Sequence, residues 1–132
     1  MIKGIDHVAI AVKNLDEAVN TFENLFGLRP SRIEDIPDQG VRAAVIHIGD
    51  TELEFIEPVN PNGGVARFLE TKGEGIHHIC LEVDDTDEEL KRLDAKGAKL
   101  IDRQARKGLA GKVAFIHPKS LHGVLIELAQ KT

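Results

Sequence analysis

Cysteine is nearly absent from this chain. Of 132 residues only Cys80 is one, so no disulfide can form within it. That fits a reducing compartment, and a cytoplasmic protein is expected. A positive excess is also missing. Lys and Arg number 17 against 22 Asp and Glu, a formal charge of −5, which argues against a whole-molecule role on nucleic acid or an anionic membrane. No apolar run reaches membrane-spanning length, and Met1-Ile2-Lys3-Gly4 passes into a strand pattern with no signal-peptide core. No segment is of low complexity. What is present is an ordinary globular composition, 42% hydrophobic and 30% charged, in a chain long enough to bury a core.

The chain also repeats itself. Gly4-Ile5-Asp6-His7 and Gly75-Ile76-His77-His78 align at an offset of 71 residues (78 − 7), and the same offset pairs Val12 with Val83, Asp16 with Asp87 and Glu17 with Glu88. Each half later carries a glutamate in an apolar strand, Leu53-Glu54-Phe55 and Ile126-Glu127-Leu128. The first half reads as a strand from His7 to Val12, then a helix. Asn14 is its N-cap, Glu17 the capping partner and Gly27 the stop. Strands follow near Ser31–Ile36, Val41–Ile48 and Thr51–Glu57, with Gly49-Asp50 as a tight turn. The second half repeats the order: a strand from His78 to Val83, a helix capped by Asp85 or Thr86 and stopped by Gly97, and strands near Lys99–Ile101, Val113–His117 and Gly123–Ala129. Each half is therefore β-α-β-β-β. The expectation is a single domain, 1–132, built of a module at 4–58, a linker at 59–74 with a short helix from Val65 to Glu70, and a module at 75–132. Neither module buries enough surface to stand alone.

Strand alternation tests whether the duplicated His and Glu can converge. Val8, Ile10 and Val12 share one face of the first strand and leave His7 with Ala9 and Ala11 on the other. His78 lies opposite Ile79, Leu81 and Val83, Glu127 opposite Val124, Ile126 and Leu128, and Glu54 stands between Leu53 and Phe55. A single buried His or a single strand Glu is ordinarily structural. Four in duplicated positions, all opposite aliphatic faces, predict a divalent-metal site of His7, Glu54, His78 and Glu127, with positions left for water or substrate. Such donors suit Co²⁺, Mn²⁺, Ni²⁺, Fe²⁺ or Zn²⁺. His77 has the wrong parity to join them. His47 reads as structural or exposed, His117 and His122 flank a loop that can touch substrate, and Cys80 reads as a small core residue.

On Ile5-Asp6-His7-Val8-Ala9, Asp38-Gln39-Gly40-Val41, Glu52-Leu53-Glu54, Gly73 to Ile79, His117-Pro118-Lys119-Ser120 and Gly123 to Leu128, the chain resembles the vicinal-oxygen-chelate superfamily, the glyoxalase and bleomycin-resistance fold. Within it the likeness is strongest to the methylmalonyl-CoA epimerases and spans essentially the whole chain. It implies an α+β fold of two βαβββ modules forming a curved mixed sheet around the metal site. It implies the same four ligands, Co²⁺ as the first choice of ion, an acyl-CoA substrate and a homodimer. The implied reaction is epimerisation at C2 of methylmalonyl-CoA, or a related 2-substituted malonyl-CoA, through an enolate. That reaction needs a proton taken on one face and returned on the other, and Glu127 and Glu54 are the acid/base candidates. Many of these epimerases carry a glutamate where this chain has Ala43. Ala43→Glu is expected to add that carboxylate without touching the ligand set.

CoA calls for phosphate contacts. Arg103, Arg106, Lys107, Lys112 and Lys119 form a basic stretch, in which Gly108 and Gly111 are expected to let the loop approach a ligand. Gln39, Arg106, Lys112, Lys119 and Ser120 are the expected substrate contacts. Two rival readings remain open at this level: a glyoxalase I-type lactoylglutathione lyase using the same donor set, and a non-catalytic metabolite- or drug-binding module on the same fold. An extradiol dioxygenase fits less well, because that chemistry prefers two His and one carboxylate.

Overall fold

The computed structural model describes residues 1–108 and 111–131, with Asp38 described in its backbone only. Leu109 and Ala110, inside the basic stretch, and Thr132 lie outside the described residues. The chain divides into two compact units, Val8–His77 and Met1–His7 with His78–Thr132. The first strand, β1 (Ile2–Ala11), contributes to both.

In the unit Val8–His77, Asn14 stops β1 and starts α1 (Leu15–Phe26) by accepting the Glu17 N–H on its side-chain oxygen at 3.0 Å. Gly27 ends α1 with φ at 71°, a left-handed cap that favours glycine. Then come β2 (Arg32–Ile36), a 3₁₀ turn (Pro37–Gln39), β3 (Val41–Ile48) and β4 (Thr51–Pro58), paired antiparallel in sequence order. The two faces of this meander bury different sets. Leu15 and Val19 of α1 pack on Val12, Ala44, Ile46 and Phe55. Val65, Phe68 and Leu69 of α2 (Gly64–Lys72) pack on Ala9, Ala11, Ile36, Val41, Ala43 and Ile56. Burial of each large aliphatic or aromatic side chain contributes about 1.5–3 kcal/mol.

In the other unit β5 (Gly75–Val83) leads into α3 (Thr86–Ala95), where Asp85 caps the helix through the Glu88 N–H. The remaining strands are β6 (Arg106–Gly108), β7 (Gly111–Ile116) and β8 (Ile126–Gln130). β8 pairs parallel with β5 and antiparallel with β7, and β7 pairs with β6. Leu90 of α3 packs on Val83, Ala114, Ile116 and Leu128, with Leu81 and Ile126 partly buried against them, and the opposite face of β5 and β8, with His78, Cys80 and Glu127, is buried as well. Each module thus has the β-α-β-β-β order, with α2 in the connection.

Three local expectations change. Lys99–Ile101 forms no ladder strand, only a bridge of Leu100 to Ile116, because Asp102 turns inward and its carboxylate takes the Phe115 N–H at 2.8 Å. The module's second strand is β6, inside the basic stretch. β8 starts at Ile126 rather than Gly123, because His122 and Gly123 take positive φ values of 57° and 89° in the preceding turn. Gly111 is required, but not by a ligand. A Cβ there would stand 2.1 Å from the Gln130 carbonyl oxygen, and one on Gly108 would meet Val113, so the protein itself fills the space these glycines leave.

Candidate metal centre

Three of the four candidate ligands meet within one unit. His7 on β1, His78 on β5 and Glu127 on β8 are each at least nine-tenths buried. Parallel pairing explains the convergence of the last two, since the β5–β8 register sets Cys80 beside Glu127 and the Ile79 N–H bonds the Leu125 carbonyl. The facing atoms are His7 Nε2, His78 Nε2 and Glu127 Oε1. The two imidazole nitrogens are 3.3 Å apart, and Glu127 Oε1 lies 3.3 Å from His7 Nε2 and 3.1 Å from His78 Nε2.

That triangle fits a divalent ion. Bonds of about 2.1 Å space adjacent donors roughly 3.0 Å apart in an octahedron and roughly 3.4 Å in a tetrahedron. All three edges fall in that interval. Two imidazoles and one carboxylate also match the hardness of first-row divalent ions. The residues present therefore fit a metal, and they leave coordination positions for further donors.

Asp6, absent from the ligand set read in the sequence, completes the arrangement. Its Oδ2 lies 2.7 Å from His7 Nδ1, and its Oδ1 lies 2.5 Å from the Lys131 ammonium. Strand alternation places adjacent residues on opposite faces, which is why parity reading passes over Asp6. The only sequence signal was an acid directly before a candidate ligand. The His7 hydrogen bond is the main cause that holds the Asp6 carboxyl at about 2, against the upward push of burial and with help from Lys131. Burial pushes Glu127 up, but hydrogen bonds and charge from His7 and His78 outweigh it and hold Glu127 at about 2 as well.

Both carboxyls are thus depressed in the fold, so their stabilisation is complete above the unfolded carboxylate range and is lost as pH falls through about 2. The metal-free protein should lose melting temperature steeply between roughly pH 4 and pH 2, and Asp6→Asn should flatten that loss. Melting curves across this range check it.

Cys80 joins a second close group with Asp6 and His7. Burial pushes its thiol up to about 11, and it is fully enclosed with Val113 and Ala129. Cys80 is therefore the small core residue the sequence indicates. Phe115, paired across the ladder with Glu127, presses its ring edge-on to His78 at 5.4 Å between centroids. The Arg106 guanidinium lies 5.5 Å over the same Phe115 ring, with its Nε 3.3 Å from Asp102 Oδ1.

Glu54 sits in the other unit, half-buried on β4 opposite Val45. Gln39 is exposed in the 3₁₀ turn, whose closing Gly40 accepts the Val59 and Asn60 N–H groups. The basic stretch is less bare than the sequence indicates, because acids outside it or at its edge fold onto it. Arg103 lies 3.8 Å from Asp94, Arg106 bonds Asp102, and the Lys112 ammonium is 3.3 Å from Asp87. Lys119 and Ser120 are exposed in the 3₁₀ turn Pro118–Ser120, where the Ser120 hydroxyl oxygen accepts the Lys99 N–H at 2.7 Å. His117 Nδ1 accepts the Lys119 N–H in that turn. His47 is exposed beside Glu52, and His77 packs edge-on to Phe68 of α2.

Comparison with known proteins places the chain among characterised relatives. The family model of the Glyoxalase/Bleomycin resistance protein/Dioxygenase superfamily matches residues 6–115. The chain is 39% identical over 129 residues to the mitochondrial methylmalonyl-CoA epimerase of Dictyostelium discoideum, covering 96% of this chain and 78% of that protein. It is 39% identical over 133 residues to the ethylmalonyl-CoA/methylmalonyl-CoA epimerase of Cereibacter sphaeroides, covering 98% and 99%. Among solved structures, a variant of the Streptomyces coelicolor methylmalonyl-CoA epimerase in complex with 2-nitronate-propionyl-CoA superposes with a TM-score of 0.93 at 32% identity, over 100% of this chain and 96% of that one.

Proposed function

Because the chain belongs to the Glyoxalase/Bleomycin resistance protein/Dioxygenase superfamily, we propose that it is a methylmalonyl-CoA epimerase, inverting C2 of methylmalonyl-CoA or a related 2-substituted malonyl-CoA. The observation that carries this is the buried His7–His78–Glu127 triangle, in a chain alike from end to end to proteins that act on such thioesters. His7, His78 and Glu127 hold a divalent ion, Co²⁺ first, then Mn²⁺, Ni²⁺, Fe²⁺ or Zn²⁺. Glu54, the counterpart of Glu127 in the repeat, is the fourth donor. Bound there, the ion supplies positive charge that favours the enolate of the thioester.

The rest is the work of side chains. Glu127 is ionised at neutral pH and is the first acid/base candidate for the C2 proton. Its Oε1 faces the two imidazoles, which leaves Oε2 as the oxygen for that proton. Glu54, on the other module, serves the opposite face of C2. Inversion then follows from removal on one face and return on the other. Gln39, Arg106, Lys112, Lys119 and Ser120 contact the CoA ester. Ser120 suits this because its hydroxyl oxygen already accepts the Lys99 N–H, while its proton can still be donated. The assembly in this reading is a homodimer acting in the cytoplasm, and sedimentation of the purified protein checks the dimer. No helix among the described residues is long and apolar enough to cross a membrane.

The decisive experiment is proton NMR of methylmalonyl-CoA in D₂O with metal-loaded protein. Loss of the C2 proton signal together with interconversion of the two epimers is expected. No exchange on any malonyl-CoA homologue, with turnover of the glutathione hemithioacetal of methylglyoxal, would transfer the assignment to the lyase.

The phosphate contacts give a separate test. Lys119→Glu should raise KM for the CoA ester by about three- to tenfold in dilute buffer, and the effect should shrink as salt screens it. Lys112→Glu should also lower the melting temperature, because it sets a second carboxylate against Asp87. Steady-state kinetics at two ionic strengths and melting curves distinguish the two effects, and metal content should not change in either variant.

A further inference from the structure

We propose that Asp6, held in turn by Lys131, is a positioning residue that locks His7 in the tautomer whose Nε2 lone pair faces His78 and Glu127. The inference rests on reading that triangle as a metal centre. Neutral imidazole carries one proton on two nitrogens, and only the bare nitrogen can bind a metal. In this protein the choice is made at Nδ1. Asp6 Oδ2 is an acceptor 2.7 Å from that nitrogen, so the proton belongs on Nδ1 and is donated to Asp6. In the metal-loaded protein His7 Nε2 is then the unprotonated atom, and it is the one 3.3 Å from both His78 Nε2 and Glu127 Oε1. With an ion held at Nε2, which offsets the Glu127 charge, the opposite tautomer would both set the Nδ1 lone pair against the Asp6 carboxylate and take the Nε2 donor from the ion.

Asp6 can act this way because it is fixed. It is 7% exposed, and both its oxygens are engaged. A buried carboxylate with one partner removed is costly, so the Lys131 ammonium on Oδ1 matters to the pose of the whole group. Lys131 itself is half-exposed, with side-chain accessibility of 51%. It can therefore be changed with little packing loss. A carboxylate on the far nitrogen also increases the electron density that Nε2 offers to an ion. Without Asp6 the ring keeps its place on β1 but loses what selects its tautomer and angle.

The test uses Zn²⁺ and Co²⁺ on the purified full chain. Asp6→Ala should weaken Zn²⁺ affinity, read by competition with a chromophoric chelator, by about 10- to 100-fold, the scale of a lost outer partner. Asp6→Asn, whose amide oxygen can still accept the Nδ1 proton, should recover most of that loss, and Lys131→Met should fall between it and the wild type. Long-range ¹H–¹⁵N spectra of the Zn²⁺-loaded wild type should show His7 protonated at Nδ1, and this readout stands if Asp6→Ala fails to fold. Zn²⁺ affinity of Asp6→Ala within about threefold of wild type, or a His7 proton on Nε2, overturns the inference. If wild-type protein binds neither ion, the metal reading itself fails, and that outcome is distinct from an Asp6 variant matching a metal-binding wild type.

Discussion

His78→Ala and Glu127→Ala should each abolish stoichiometric metal binding and, with it, C2 proton exchange. The three facing atoms form a triangle with edges of 3.1 to 3.3 Å, and either substitution removes one corner. Loss of a direct donor should exceed the roughly 10- to 100-fold cost of losing an outer partner. Metal analysis after gel filtration, beside exchange of the C2 proton in D₂O, checks this. Unchanged metal content in both variants would remove these residues from the site. Glu127→Gln is the informative companion. It keeps an oxygen donor but not the charge, so residual metal with lost exchange would separate the ligand role from the acid/base role.

Ala43→Glu should have the largest effect on stability, about 3 kcal/mol or more, seen as a fall in melting temperature of about 10 °C or more. From the sequence this substitution looks like the addition of a base. The structure corrects that reading. Ala43 has no exposed surface and packs among Ala9, Ala11, Ile36, Val41 and Ile56 beneath Val65 of α2. A glutamate there must displace these side chains and bury its charge. It would also face Glu34, the ladder partner of Ala43 on β2, and like charges directly opposite one another repel. Thermal melts come first, and exchange rates are then compared only for folded protein. A stable Ala43→Glu protein whose exchange rises by about 10²-fold, the scale of a positioned general base, would show that the wild type lacks its second base and that Glu54 is wrongly assigned.

The legible parts of the fold were those decided by neighbours in sequence. Asn14 and Asp85 cap α1 and α3 as their residue types require, and Gly27 closes α1 in the left-handed region. Alternation along β1, β5 and β8 separated the aliphatic set from the candidate ligands, because a strand repeats every two residues whatever surrounds it, but the structure buries both faces, His7, His78 and Glu127 included. The misreadings fell where a distant group competes for the backbone. Asp102 takes the Phe115 N–H, so the strand read at Lys99–Ile101 shrinks to a bridge. Gly108 and Gly111 make room for Val113 and Gln130, not for a ligand.

The site divides along the same line. The repeat by itself determined which residues to name, His7, Glu54, His78 and Glu127, because duplicated position is a property of the chain alone. Tertiary structure decided what the sequence could not reach. Parallel pairing of β8 with β5 brings Glu127 onto His78, a contact across 49 residues (127 − 78) that no local pattern encodes. Asp94 and Asp87 fold onto the basic stretch and pair Arg103 and Lys112. Asp6 bonds its neighbour His7 and is held from the other side by Lys131, near the far end of the chain. Periodicity gives the direction of a side chain from the backbone. The partner it meets there depends on which distant strand is packed beside it, and that only the folded chain supplies.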